Sequence, residues 1–140
     1  MKHQIATLIF MTLFLLLPHG AAAQKTKGAY LFEQLRNPVY NKTFGNLFKG
    51  QKNIEPWLKG YIANHNGVDN PGESRIVDGK IYELYAVCKP HDCPGNFIYV
   101  LFEPGGKNAW GLFTKDDGSW RFFGDPDETM QAALRNAIDK

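Results

Sequence analysis

Cysteine, excess charge of one sign and internal repetition are all scarce in this sequence of 140 residues. It has two cysteines, and 16 lysines and arginines nearly balance 14 aspartates and glutamates, which leaves a formal charge of +2. The basic residues are scattered and form no run, which argues against nucleic acid as the main partner. No segment repeats and no low-complexity linker divides the chain, so we expect one globular domain.

Long hydrophobic runs are equally scarce, and the one that stands out lies near the amino end. Lys2 and His3 precede an apolar stretch over residues 5–17, and three alanines follow at residues 21–23. This order is typical of a signal peptide that is cleaved after Ala23. A membrane anchor would need about 20 apolar residues, which is more than this stretch provides. We therefore expect residues 1–23 to be removed, leaving one exported domain over residues 24–140 without a membrane segment.

The first third of the remaining chain shows the spacing of helices. Apolar residues at helical intervals predict one helix over residues 29–35, which the pair Asn37-Pro38 should stop. A second helix is predicted around residues 44–48, with Gly50 as its carboxyl-terminal cap. Residues 56–60 predict a short turn or terminal helix, and the composition of residues 64–72 predicts a loop.

The middle of the chain predicts strands joined by short turns. The five candidates cover residues 75–77, 80–87, 97–102, 109–114 and 119–123. The pair Asp78-Gly79 separates the first two and is typical of a type I′ hairpin turn. Because consecutive strands with short connections pair as neighbours, we expect an antiparallel meander and an α+β fold.

A last helix is predicted at the carboxyl end. Asp125 is the expected amino-terminal cap, and Pro126 suits the first helical position. An apolar stripe from Met130 to Ile138 follows and should pack against the sheet.

The two cysteines carry the main functional signal. Export would expose Cys88 and Cys93 to an oxidising compartment, so we expect a disulfide that closes a small ring. The ring consists of Cys88, Lys89, Pro90, His91, Asp92 and Cys93. So short a loop adds only about 2 kcal/mol in the chain-entropy model, so the bond would shape one loop rather than brace the fold. A rigid loop loses little entropy on docking, which favours a binding role with His91 near the tip; the alternative is a structural disulfide beside a histidine without a role.

Redox, metal and hydrolytic chemistry fit this pattern less well. A thiol–disulfide oxidoreductase usually carries C-x-x-C at a helix amino terminus, whereas four residues separate these cysteines. A zinc site needs three or four ligands, and Cys88, His91 and Cys93 are too crowded in one ring to ligate together. Hydrolysis needs a set such as two paired carboxylates, and the aspartates of residues 116–127 instead lie in predicted turns and caps. We expect no metal, no cofactor and no catalytic residue, and keep a periplasmic thiol-redox or metal-handling protein as an alternative.

The ring sequence Cys-Lys-Pro-His-Asp-Cys resembles the signature loop of the Ivy family, the periplasmic inhibitors of vertebrate lysozyme. All six residues match. The signal peptide, the segments at residues 44–50 and 56–60, the strands beside the ring and the strand around residues 111–113 agree with the same family. The resemblance spans residues 44–138 in the order of their elements and leaves residues 24–40 and 64–72 unmatched.

The resemblance implies an inhibitor and not an enzyme, in the periplasm of a Gram-negative bacterium, with helices on both faces of the sheet in α/β/α layers. It implies that the ring enters the active-site cleft of a C-type lysozyme and places His91 between the two catalytic carboxyl groups. A retaining glycosidase holds such groups about 5–5.5 Å apart, so one imidazole can bond to both. Lys89 is expected to meet acidic groups at the rim, Pro90 to stiffen the approach, and Asp92 to contact cations or shape the ring.

The target and the oligomeric state are open at this point. The bacterium's own lytic transglycosylases cut the same glycan with a catalytic carboxylate, so the ring could instead restrain cell-wall turnover. Four aromatic residues could pack in the core or form the face of a homodimer, and we expect the core. They are Trp110, Trp120, Phe122 and Phe123.

Overall fold

The computed structural model describes residues 28–138 of the chain. The predicted signal peptide, its cleavage after Ala23 and both ends of the predicted domain lie outside the described residues. Among the described helices, none has the length and apolar character needed to cross a membrane. The elements in chain order are α1 (Leu31–Gln34), α2 (Pro38–Phe48), α3 (Pro56–Asn64), β1 (Val68–Asp69), β2 (Glu73–Val77), β3 (Lys80–Cys88), β4 (Phe97–Phe102), β5 (Ala109–Thr114), β6 (Trp120–Phe123) and α4 (Glu128–Arg135).

The strands form one antiparallel sheet in the order β1-β3-β4-β5-β6, and β2 also pairs with β3. The short strand β1 lies opposite the end of β3, where Val68 faces Cys88, and β2 lies opposite its beginning, where Val77 faces Lys80. From β2 to β6 each strand pairs with the next, so the predicted meander is confirmed.

The hairpin turn between β2 and β3 has the predicted geometry. Asp78 has φ +47° and Gly79 has φ +74°, and a type I′ turn requires positive φ at both central positions. Strands β4 and β5 have the predicted bounds, β3 extends one residue further to Cys88, and β6 begins at Trp120. Apolar and aromatic runs separated by short turns were therefore reliable signals in this part of the chain.

Helices cover both faces of the sheet in three layers, as expected. Because side chains alternate along a strand, each strand contributes to two cores. One core joins α1, α2 and α3 to residues such as Val87, Val100 and Phe102, and the other joins α4 to residues such as Leu84, Leu101 and Leu112. The antiparallel α+β architecture is thus confirmed.

The first predicted helix is shorter than expected. It covers only Leu31–Gln34, although Leu31 and Leu35 are both buried as their spacing indicated. The pair Asn37-Pro38 begins the next helix as well as ending this one, because the Asn37 side chain accepts a hydrogen bond from Val39 N at 3.0 Å. Pro38 occupies the first turn, where its missing N–H is not needed.

The segment from residue 56 to residue 72 departs from the prediction. Of the predicted alternatives, a short turn or a terminal helix, the helix is present but longer: α3 (Pro56–Asn64) has nine residues and continues through Gly60 because Leu58 and Tyr61 face the core. Residues 64–72 were predicted as loop, yet Val68–Asp69 form β1. Their pairing partners on β3, Cys88 and Val87, lie 20 and 18 positions away, which local composition does not reveal.

The last helix is capped by Asp127, so the prediction of Asp125 as the cap and Pro126 as the first helical residue is wrong. Asp127 Oδ1 accepts a hydrogen bond from Met130 N at 2.8 Å. Asp125 has φ +48°, whereas an amino-terminal cap needs extended backbone. Met130 and Leu134 of the predicted stripe are buried, but Ile138 is 43% exposed.

The four aromatic residues have different surroundings. Phe123 is buried in the core shared with α2, and Trp110 and Phe122 are partly buried against α4. Trp120 is 54% exposed, so the expected core position is wrong for this residue. Its ring packs beside Phe122, and the Arg135 guanidinium lies 5.3 Å from the ring centroid.

Asp69 of β1 connects the helices α1 and α3. Its Oδ1 accepts hydrogen bonds from Tyr61 Oη of α3 at 2.7 Å and from Phe32 N of α1 at 3.3 Å. Burial raises the pKa of Asp69, although these bonds lower it in part. The carboxyl group therefore holds α1 and α3 together but is costly to ionise.

We expect the free energy of unfolding of Asp69→Asn to increase relative to that of the parent as the pH rises from about 3 to about 7. The folded state binds the Asp69 proton more tightly than the unfolded state does, because its pKa is raised. Its stabilising contribution is therefore present at acid pH and lost as the pH rises through the folded-state pKa. The asparagine side chain keeps an acceptor oxygen and has no carboxyl proton that titrates. Chemical denaturation at both pH values measures the effect, and the same difference at both would contradict it.

Candidate functional site

The cysteine ring connects the ends of two central strands. Cys88 is the last residue of β3 and lies opposite Phe97, the first residue of β4. The expected Cys88–Cys93 disulfide is present, with the two Cα atoms 5.0 Å apart, and it contains both cysteines of the sequence. Because β3 and β4 are paired along six residues each, the base of the ring is anchored in the sheet.

The tip of the ring is a tight turn with His91 at its exposed position. Asp92 N donates to Lys89 O at 3.1 Å, which closes a four-residue turn. Pro90 is the second residue of that turn, and His91 is the third, with φ +64°. A type II turn has this pattern, with proline second and positive φ third. Positive φ is unfavourable for residues other than glycine, so contacts with neighbouring residues must hold the backbone of His91 in this conformation.

Lys89 and Asp92 form an ion pair across the ring. Lys89 Nζ lies 2.6 Å from Asp92 Oδ2, and the side chains are 40% and 45% exposed. The hydrogen bond to Asp92 raises the pKa of Lys89. An exposed pair of this kind contributes little to stability. Within the free protein both charges are thus engaged with each other beside His91.

Asn96 is the residue of this site that the sequence analysis did not identify. It is only 4% exposed. Its backbone oxygen accepts from Lys89 N and its backbone N–H donates to Cys93 O, both at 3.0 Å. Its Nδ2 donates to Asp92 O at 3.2 Å and to Pro94 O at 3.3 Å. The turn-forming run Pro94-Gly95-Asn96 was the available signal, since asparagine often bonds to nearby backbone in turns.

The segment after the ring packs against the turn between β5 and β6. Thr114 Oγ1 donates to Gly95 O at 2.8 Å and accepts from Phe97 N at 3.3 Å. Gly95 has φ +75°, and a Cβ added there would lie 2.7 Å from the Cα of Asp116. Glycine is therefore required at residue 95 both for its backbone conformation and for this close approach.

The neighbouring turn carries exposed charges that are paired with one another. Lys115 Nζ lies 3.1 Å from a Glu55 carboxylate oxygen and 3.7 Å from Asp117. The bond to Glu55 raises the pKa of Lys115, and hydrogen bonds from Ser119 lower the pKa of Asp117. Asp117 accepts from Ser119 N at 2.8 Å, so this aspartate shapes the turn as predicted.

The other candidate ligands do not gather around the ring. Within residues 28–138, no group of three or more histidine, cysteine, aspartate and glutamate side chains is arranged to hold a metal ion. His65 follows α3 as its carboxyl-terminal cap, with φ +54°, and lies beside the Tyr61 ring. The chemistry that the site offers is therefore an exposed imidazole at the tip of a covalently closed turn.

Comparison with known proteins decides the family. The family model described as "Inhibitor of vertebrate lysozyme (Ivy)" matches residues 51–140, which include the ring, α3, the sheet and α4. The chain belongs to the Ivy family. Its matched segment begins before α3 and continues through α4.

The chain is similar to proteins from two bacteria, one of which is named as the family is. A protein of Yersinia pestis described as uncharacterized is 32% identical, over 77% of this chain and 75% of its own length. A Pseudomonas aeruginosa protein named "Inhibitor of vertebrate lysozyme" is 28% identical, over 86% of this chain and 85% of its own. A second protein of that organism, described as uncharacterized, is 24% identical over 81% and 80%. These matches extend beyond the family model toward the amino end.

Proposed function

We propose that this protein is an exported inhibitor of C-type lysozyme that blocks the active-site cleft with its cysteine ring. The observation that carries the proposal is membership of the Ivy family combined with a closed ring whose tip exposes His91. A relative that aligns over most of both chains is named as an inhibitor of vertebrate lysozyme. The acting form would be the domain over residues 24–140 in the periplasm, working as a binding protein rather than an enzyme.

The chemistry of His91 fits the cleft of a retaining glycosidase. Such an enzyme holds one protonated and one ionised carboxyl group about 5–5.5 Å apart. An imidazole can donate a hydrogen bond to one of these groups and accept from the other. By occupying that gap, His91 would displace both the attacking water and the sugar.

The rest of the ring would contribute by its shape. The disulfide and the Pro90 turn restrict the loop before binding, so little entropy is lost when it docks. Lys89 and Asp92 would exchange their mutual ion pair for groups at the cleft rim or keep it as a brace. Since the chain has a formal charge of only +2, of the same sign as a cationic enzyme, long-range electrostatic attraction should not assist the encounter, and the fit of the loop should dominate affinity.

We expect the protein over residues 24–140 to inhibit hen-type lysozyme in a cell-wall lysis assay and to co-purify with it. The assay measures clearing of bacterial cells against inhibitor concentration. A parallel assay with a lytic transglycosylase tests the alternative target. Absence of both binding and inhibition of lysozyme would refute the proposal, and inhibition of the transglycosylase alone would favour a role in cell-wall turnover.

A thiol measurement separates inhibition from redox or metal chemistry. Both cysteines are joined in the structure, so the exported protein should contain no thiol that reacts with a thiol reagent. Thiols that become reactive under mild reduction, or that a metal protects, would favour the redox or metal-handling alternative.

A further inference from the structure

We propose that Asn96 is a positioning residue, which holds His91 in its binding conformation through the carbonyl groups of the ring segment. The inference rests on the proposed function, because the conformation matters for inhibition only if His91 enters a cleft. It concerns a side chain that lies outside the six-residue ring and that would not contact the target directly, since it is buried.

The hydrogen bonds of Asn96 reach both sides of the tip. Its backbone binds Lys89, the first residue of the turn, and Cys93, the last residue of the ring. Its side chain binds the carbonyl oxygen of Asp92, the last residue of the turn. One residue therefore holds the segments that enter and leave the turn, at the base of the ring.

The backbone conformation of His91 explains why such support is needed. A positive φ is unfavourable for a residue with a side chain, so a free loop would tend to leave this conformation. The disulfide joins the ends of the ring but does not dictate the rotation of each peptide inside it. The exposed Lys89–Asp92 ion pair is weak. The buried amide of Asn96 is shielded from water, so its bonds are the stronger restraint on the Asp92 peptide.

Loss of the Asn96 amide would leave two carbonyl oxygens without their donor. The carbonyl groups of Asp92 and Pro94 would then turn toward water, and the peptide between Asp92 and Cys93 would turn with the first of them, which frees the backbone that follows His91. The conformation that binds would then be only a fraction of the population, and the apparent affinity would fall to that fraction of its intrinsic value.

A double-mutant cycle tests the positioning role. Asn96→Ala should raise the inhibition constant for lysozyme by about fivefold or more in the parent protein, and by less than about twofold in the His91→Ala background. A merely structural residue would produce the same factor in both backgrounds. Equal factors, or no change in the parent, would overturn the proposal. If Asn96→Ala does not fold, Asn96→Ser takes its place under the same criterion.

Asn41→Ala is the matched control, because the Asn41 side chain also donates to a backbone oxygen, that of Leu35 at 3.1 Å, in a different part of the fold. It should leave the inhibition constant unchanged within about twofold. A second measurement does not depend on lysozyme: in Asn96→Ala, hydrogen exchange at the Asp92 amide should accelerate by about tenfold, while exchange in β4 stays the same. Unchanged exchange at Asp92 would refute the positioning role, whereas failure of the parent to inhibit would refute only the proposed function.

Discussion

Replacing His91 by alanine should weaken inhibition of a C-type lysozyme by at least about tenfold without unfolding the protein. The imidazole is exposed at the tip of the ring and packs into neither hydrophobic core, so its removal leaves the cores intact. In the proposed mode of binding, the variant would lose one pair of hydrogen bonds to the catalytic carboxyl groups, and bonds to charged groups are each worth about 1.5–3 kcal/mol. Inhibition constants from cell-wall lysis and a thermal unfolding curve measure the two parts of this prediction.

His65→Ala is the matched control for this experiment. His65 and His91 both have positive φ, at +54° and +64°, so each substitution places alanine in the same unfavourable backbone region. His65 ends α3 and is outside the ring, so its loss should leave inhibition unchanged within about twofold. If His91→Ala inhibits as well as the parent, His91 has no part in inhibition, and the proposed mode of binding is wrong.

Phe102→Ala should produce the opposite result, a large loss of stability with inhibition retained by the folded protein. Phe102 is fully buried, and its ring lies 5.1 Å from that of Tyr40 and 5.9 Å from that of Tyr85. Removing a buried phenylalanine costs about 3–5 kcal/mol in lost burial and in the cavity that remains. Domains of this size are stable by only about 5–15 kcal/mol, so the melting temperature should fall by roughly 10–20 °C.

Ile76→Ala serves as its control, since the Ile76 side chain on β2 is 76% exposed. It should cost less than about 1 kcal/mol, which is the range of strand propensity. Equal melting temperatures for Phe102→Ala and Ile76→Ala would show that Phe102 does not anchor the core. Phe102→Ala and His91→Ala together separate the scaffold from the site. Phe102→Ala should lower stability and spare inhibition, and His91→Ala should weaken inhibition and spare stability.

Most of the sheet could be predicted because its signals are local. Short apolar and aromatic runs mark β4 and β5, and Asp78-Gly79 dictates the turn between β2 and β3 through the backbone angles those residues tolerate. The ring was predictable for the same reason, since its two cysteines are five positions apart. The helices were harder to place, as α3 and the cap of α4 show.

Residues whose partners are distant in the chain could not be predicted in this way. Asp69 binds Phe32, 37 positions away, and Thr114 binds Gly95, 19 positions away. Pairing of β1 with the end of β3 likewise depends on the assembled sheet. Such contacts exist only after the elements pack, so neither composition nor periodicity contains them.

The amino-acid sequence alone determined the meander, the closed ring and the histidine within it, because apolar strand runs, turn chemistry and cysteine spacing act over a few residues. Tertiary structure alone decided that His91 stands at positive φ at the tip and that the ring rests on Asn96 and on the β5–β6 turn. The physical reason is that the contacts of Gly95 with Thr114 and Asp116 exist only after β4 and β5 have paired, and that burial in the folded protein excludes water from the Asn96 amide.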